Sequence, residues 1–181
     1  MSPVRRWIQN DFVFAGVTLA LVAFTYTPLA DPLNDPLCAV SFSGAEWLFG
    51  KLGIVYTADT AHRVISGGSF SMEITGLCSG LRSIALFGAV VLLLKLPHLQ
   101  KALHFALGLP VLLAINVARI VHLYTLGESG SVRFALYHEW LWPSAIVAAI
   151  LLYRLVMLLA TKSRDSQAPS LPLETAEAAH G

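Results

Sequence analysis

Four long apolar runs, divided by short polar segments, set the first-order pattern of the chain. They cover about 11–29, 77–96, 102–126 and 140–160. A helix needs about 20 apolar residues to cross a hydrocarbon core, and each run has that length. Pro110 falls inside the third, where membrane helices tolerate a kink. The first follows Arg5 and Arg6 as a signal peptide would, but "ADPLNDPL" after it is a poor small-residue cleavage site, so a retained anchor is expected. The pattern predicts an all-α polytopic membrane protein with about four transmembrane helices, forming a single integral membrane domain over 1–161.

The intervening segments predict smaller features. "SGAEWLFGKLG" sets Trp47, Leu48 and Leu52 apart from Glu46 and Lys51, which suits a short amphipathic helix lying in the interface. The β-branched runs of "IVYTADTAHRVISGGSFSMEIT", broken by "SGG", predict a small β-hairpin. Residues 162–181 are polar and without apolar periodicity, as expected of a disordered tail. With four spans, Arg5 and Arg6, Lys95 and Lys101, and Lys162 and Arg164 share one side. The positive-inside rule makes that side, with both termini, the cytoplasm, and places 30–76 and 127–139 outside.

Composition sharpens this picture. Of the 181 residues, 56% are hydrophobic and 13% charged, against roughly 25% charged in soluble domains. The net charge of +1 gives no electrostatic case for nucleic acid. Cys38 and Cys78 have neither CxxC nor Cys/His spacing, so no metal or cofactor is implied.

The chemistry-bearing residues gather at one end of the spans. Cys78 stands at the outer mouth of the second run, with Arg82 expected one helical turn deeper on the same face. Arg119 falls about seven residues inside the third run, roughly 10 Å deep at 1.5 Å per residue. Asn116 and His122 lie three residues to either side of it, and His138 lies just before the fourth run. An arginine within a span costs about 2.5–3.5 kcal/mol on insertion scales and usually marks function. Alone, each has a plainer use: Arg119 snorkelling, Asn116 joining helices, Cys78 packing. His98 and His104 fall at the other side, and Trp140 and Trp142 suit an interfacial belt.

Together, "CSGLRS" at 78–83, "NVAR" at 116–119 and His138 ahead of the last span resemble the exosortase/archaeosortase family. The likeness covers about 45–160, the expected catalytic core of a compact member; Glu139 stands where several relatives have aspartate. The resemblance implies a membrane cysteine protease or transpeptidase with Cys78 as nucleophile, Arg119 as catalytic arginine and His138 as their partner. Ser79, Gly80, Arg82 and Asn116 would be supporting motif residues. It also implies the substrate: exported proteins ending in a short motif, a hydrophobic helix and a basic cluster. They would be cut at the extracytoplasmic face of the inner membrane and passed to a lipid or cell-surface acceptor. Two other readings compete. One is a non-catalytic assembly protein of the same family. The other is a membrane thiol–disulfide enzyme using Cys38 and Cys78, in which a standing bridge between the two would defeat the sortase reading.

Overall fold

The computed structural model describes residues 3–167, with side chains between Val13 and Ala160. Arg5, Arg6, Lys162 and Arg164, on which much of the expected orientation rests, lie outside the described side chains, and 168–181 outside the described chain. The backbone runs α1 (Pro3–Phe24), α2 (Asp31–Leu52), strands β1 (Thr57–Asp59), β2 (Val64–Ser66) and β3 (Ser71–Glu73), then α3 (Leu81–Leu93), α4 (His98–Glu128), α5 (Phe134–Leu136) and α6 (Trp142–Gln167).

Among the described residues, two segments are long and apolar enough to cross a membrane: His98–Glu128 and Phe134–Ala160. Ala15–Phe24 and Leu81–Leu93 are apolar but shorter. The expected second span is therefore truncated. Thirteen helical residues rise about 20 Å, short of a hydrocarbon core of about 30 Å. Length is missing at both ends: at the start Gly76–Cys78 forms a 3-10 turn and Gly80 takes a left-handed backbone, φ 77°, and at the end the chain turns extended at Leu94. The i,i+4 geometry expected between Cys78 and Arg82 does not apply across that break.

α3 is the central helix of the membrane part, packed against α1, α4 and α6. Gly108 of α4 offers no side chain, and the Phe87 ring lies where its Cβ would be. Lys101 Nζ donates to the Leu92 carbonyl at the far end, so α3 and α4 run antiparallel. Tyr153 pairs with His104 at 2.9 Å, while Trp142 Nε1 donates to His122 Nδ1 at 2.9 Å, which sets α6 antiparallel to α4. Phe87, Val90 and Val91 bury against Ile146 and Ile150. Leu151, Leu152, Leu155, Val156 and Leu159 remain exposed, a surface suited to lipid.

At the other end α2 and the strands build a second core. The expected short amphipathic helix is the tail of a 22-residue one. Pro32, at its start, lacks only an N–H that the first turn leaves free anyway. α2 buries Asn34, Cys38, Ser41, Phe42, Ala45 and Phe49, a stripe at helical spacing. Trp47 and Leu52, on the face expected to meet lipid, are exposed. The expected hairpin gains a third strand: β1–β2–β3 is an antiparallel meander, registered Thr57↔Ser66 and Ile65↔Met72. Glu128 clasps it to α4, its Oε1 accepting from the N–H groups of Gly68 (2.9 Å) and Ser69 (3.2 Å).

The β1–β2 turn carries an exposed pair, His62 Nδ1 to Asp59 Oδ2 at 2.7 Å. The carboxylate beside it raises the His62 pKa from its ordinary value, and the histidine lowers that of Asp59. The histidine's share of stability is full below its unfolded pKa and is lost as pH rises through the raised one. The aspartate's is present above its unfolded pKa and lost as pH falls through the lowered one. Histidine NMR titration should give a His62 midpoint above its ordinary value, and Asp59→Asn should bring it down.

Candidate active site

Cys78 ends the short turn between β3 and α3, and its position is fixed through the backbone. Its carbonyl accepts from Asn116 Nδ2 at 2.7 Å, and the second proton of that amide goes to Ser41 Oγ at 3.0 Å. Asn116 is 3% exposed, so both amide protons have to find partners inside the protein, and they do. This one side chain ties α4, α2 and the cysteine turn together.

The next two residues of the motif have distinct mechanical tasks. Ser79, fully buried, donates its hydroxyl proton to Asn34 Oδ1 (2.7 Å) and Gly76 O (2.8 Å) as a shared bond, and accepts from the Leu81 N–H at 3.2 Å. It thereby caps α3 from one residue further out than an ordinary N-cap. Gly80 has φ 77°, and a Cβ there would stand 3.2 Å from Asn116 Cγ. Both the backbone and the space require glycine. Gly80→Ala should lower stability by about 1–2 kcal/mol from backbone conformation alone, with more from displacing Asn116. The check is thermal unfolding in detergent, where Ser83→Ala should be near neutral by contrast.

Arg119 lies one turn along α4 from Asn116, half-buried, within electrostatic range of both Cys78 and Arg82. Its Nε is enclosed and has no hydrogen-bond partner among the described residues. Arg82 lays its guanidinium over the Tyr26 ring at 3.9 Å, in the wall of a recess of about 280 Å³ with Asn34, Gly76 and Leu77. Cys78 is half-exposed and adjoins this recess through Leu77. A larger cavity, about 570 Å³, lies between the strands and the end of α4 at Tyr124, Thr125 and Glu128, away from the thiol.

His138 is held separately. It sits on a five-residue π-helical turn, Tyr137–Leu141, a local widening often found at functional sites. Its ring stacks flat on Phe134, centroids 5.6 Å apart, and the adjacent Tyr137 meets His122 edge-on at 5.0 Å. His122 follows Arg119 by three residues, so the π-turn is docked at the same end of the bundle. Among the described residues no hydrogen bond joins His138 to Cys78 or Arg119. The structure therefore gathers Cys78, Arg82, Asn116 and Arg119 and keeps His138 on a separate turn at the same end of the bundle.

Over residues 11–153, most of its length, the chain matches the family model of the transmembrane exosortases. The chain belongs to the transmembrane exosortase family. Neither a curated protein nor a solved structure matches it. As an exosortase-family member it is a membrane protein with an exosortase-like role, and its apolar helices agree with that.

Sequence reasoning missed several residues that pack around this candidate site. Asn34, Ser41 and Arg63 are all far from the motifs in sequence. Arg63 alone among the non-glycine described residues has a left-handed backbone, φ 53°, a conformation that costs an L-residue about 1–2 kcal/mol. Its guanidinium bonds Asp35 at 3.2 Å and lies beside Cys38. Only the "DPLNDP" composition, which reads as loop, stood at Asn34. A local pattern carries no sign of such contacts.

Proposed function

We propose that this exosortase is a membrane cysteine protease or transpeptidase. It cleaves a C-terminal sorting signal from exported proteins and passes the new C-terminus to water or to an acceptor in the outer leaflet. The observation that carries this reading is the pairing of a half-exposed thiol, on a turn locked by Asn116, with an arginine whose enclosed Nε is unpartnered.

The chemistry follows from those groups. The Cys78 thiolate attacks the scissile carbonyl carbon, forming a C–S bond while the carbonyl electrons move to oxygen. Arg119 donates hydrogen bonds to that oxyanion, a task for which a preorganised donor contributes about 2.7–4 kcal/mol. The C–N bond breaks as His138 gives a proton to the leaving amine. The acceptor then loses its proton to His138, attacks the thioester and frees Cys78. His138 reaches the reacting atoms by movement of the π-turn or through substrate contact, since catalytic hydrogen bonds tighten in the complex.

The substrate tail would lie in lipid beside α3 and α4 with its scissile bond level with Cys78. The shortness of α3 supports this, because a helix that begins late leaves the thiol below the level a full span would reach. The basic residues Lys95 and Lys101 at the opposite end favour a cytoplasmic location there and an extracytoplasmic site.

A reporter carrying candidate motif, apolar helix and basic cluster, co-expressed with the full chain, tests the activity. Mass spectrometry should find a new C-terminus ahead of the helix only when both are present. An intact reporter across a panel of tails from the same source, with the chain inserted in the membrane, would count against processing.

A further inference from the structure

Cys38 occupies a place that the proposed reaction does not use. It lies on the buried stripe of α2 between Asn34 and Ser41, at i+4 and i+7 from the first of them. Both flanking residues hold the cysteine turn: Asn34 bonds Ser79 and packs on Gly76, and Ser41 shares the Asn116 amide with the Cys78 carbonyl. The residue between those two anchors faces the same turn. Cys78 accordingly packs against the core cluster that contains Cys38. Both are free thiols.

We infer that Cys38 is a resolving thiol for Cys78, so that oxidation closes the pair into a reversible disulfide and shuts off the site. The oxidant is a peroxide. The Cys78 thiolate attacks one peroxide oxygen, an S–O bond forms, the O–O bond breaks, and the departing oxygen takes a proton to leave as water. Cys38 then attacks the sulfenic sulfur; the S–S bond forms and the S–O bond breaks, releasing a second water. Two thiols are oxidised by two electrons as one hydrogen peroxide becomes two waters. A dithiol reductant reverses the bond and becomes a disulfide itself.

The surroundings divide the roles. Cys78 is half-exposed with Arg119 near it, so it meets peroxide first. Cys38 is 2% exposed and out of reach of bulk oxidant. Burial raises its pKa from the ordinary thiol value, and the Arg63 guanidinium opposes this. A cation held against a buried sulfur is what a resolving thiol needs to lose its proton beside a sulfenic acid. The bridge protects as well as inhibits, because an unresolved sulfenic acid goes on to sulfinic and sulfonic acids that a dithiol does not reduce.

Only the consequence for activity rests on the proposed function; the bond is read by mass. Membranes containing the full chain are treated with hydrogen peroxide, free thiols are blocked, and peptides are mapped without reduction. The wild type should yield a Cys38–Cys78 peptide pair lacking two hydrogens, removed by dithiothreitol. Cys38→Ala and Cys38→Ser should instead give a dimedone adduct on Cys78 and on the order of tenfold more Cys78 sulfinate. Processing by the wild type should recover after dithiothreitol, and that of the two variants should not, though untreated they match it. Equal sulfinate in all three chains with no bridged peptide would overturn the proposal. A bridge that forms and reverses while Cys78→Ala still processes the reporter would uphold the switch chemistry and refute the nucleophile assignment.

Discussion

Cys78→Ala is expected to reduce reporter cleavage by at least about 10³-fold, to the level of membranes lacking the protein, because no other group in the site can form the acyl intermediate. The structure makes this a clean substitution. Asn116 holds the Cys78 carbonyl, not its sulfur, so alanine keeps the bond that fixes the turn. The only loss is packing of a small side chain against the α2 core, about 1 kcal/mol. Abundance in the membrane and thermal midpoint should therefore stay near wild type while activity vanishes. Cleavage that persists in Cys78→Ala would leave the non-catalytic assembly role as the better reading. Cys78→Ser should be similarly inactive, since a serine hydroxyl needs a stronger base than this site places near it.

The second large effect belongs to Arg119. Arg119→Gln should lower cleavage by about 10²–10³-fold through loss of a donor to the oxyanion. Arg119→Lys should recover only a small part of this, because a point charge on a flexible stem does not reproduce the guanidinium fork. Stability should move the other way. An arginine in a span costs about 2.5–3.5 kcal/mol, and this one keeps an enclosed Nε without a partner. Arg119→Leu should thus be at least as thermally stable as wild type while being inactive. A purely structural arginine, satisfied by its neighbours, would give the opposite pairing: loss of stability with activity per folded molecule unchanged.

The parts of this site that sequence makes visible are those packed into short motifs. Cys78, Ser79, Gly80 and Arg82 fall within five residues, and Asn116 and Arg119 within four, so each group announces itself. The apolar runs likewise mark where helices lie. Their ends were less visible. Leu77 and Cys78 open the apolar run, yet the left-handed Gly80 and the Ser79 cap set the start of α3 at Leu81. The start of α2 was hidden for a related reason. Two prolines and two aspartates make 31–36 look like loop; Pro32 is welcome in a first turn, whereas Pro36 lies inside the helix and forgoes its bond to the residue 32 carbonyl. "SGG" marks the turn between β2 and β3, as expected of the hairpin; the additional strand, β1, was obscured because its turn into β2, "TAHR" at 60–63, carries neither glycine nor proline.

What no local pattern conveys is the long-range wiring. Asn34 to Ser79 spans 45 residues and Asn116 to Ser41 spans 75. These bonds exist because buried amides and hydroxyls must be paired, and the choice of partner is made by packing of α2 against α4. His138 is an intermediate case. Its place near the start of the last apolar segment was plain, although the continuous segment begins at Phe134 and so includes it; the π-turn that presents it and the Phe134 stack that holds it follow from tertiary contacts.

One measurement bears most directly on the thiol's role. The full chain in lipid nanodiscs is mixed with a tail-bearing substrate, quenched in acid within the first turnover, and mapped by mass spectrometry. Cys78 should carry the new C-terminus of the substrate as a thioester that hydroxylamine removes. Turnover with Cys78 unmodified at every quench time, or an acyl group found on another residue, would contradict it.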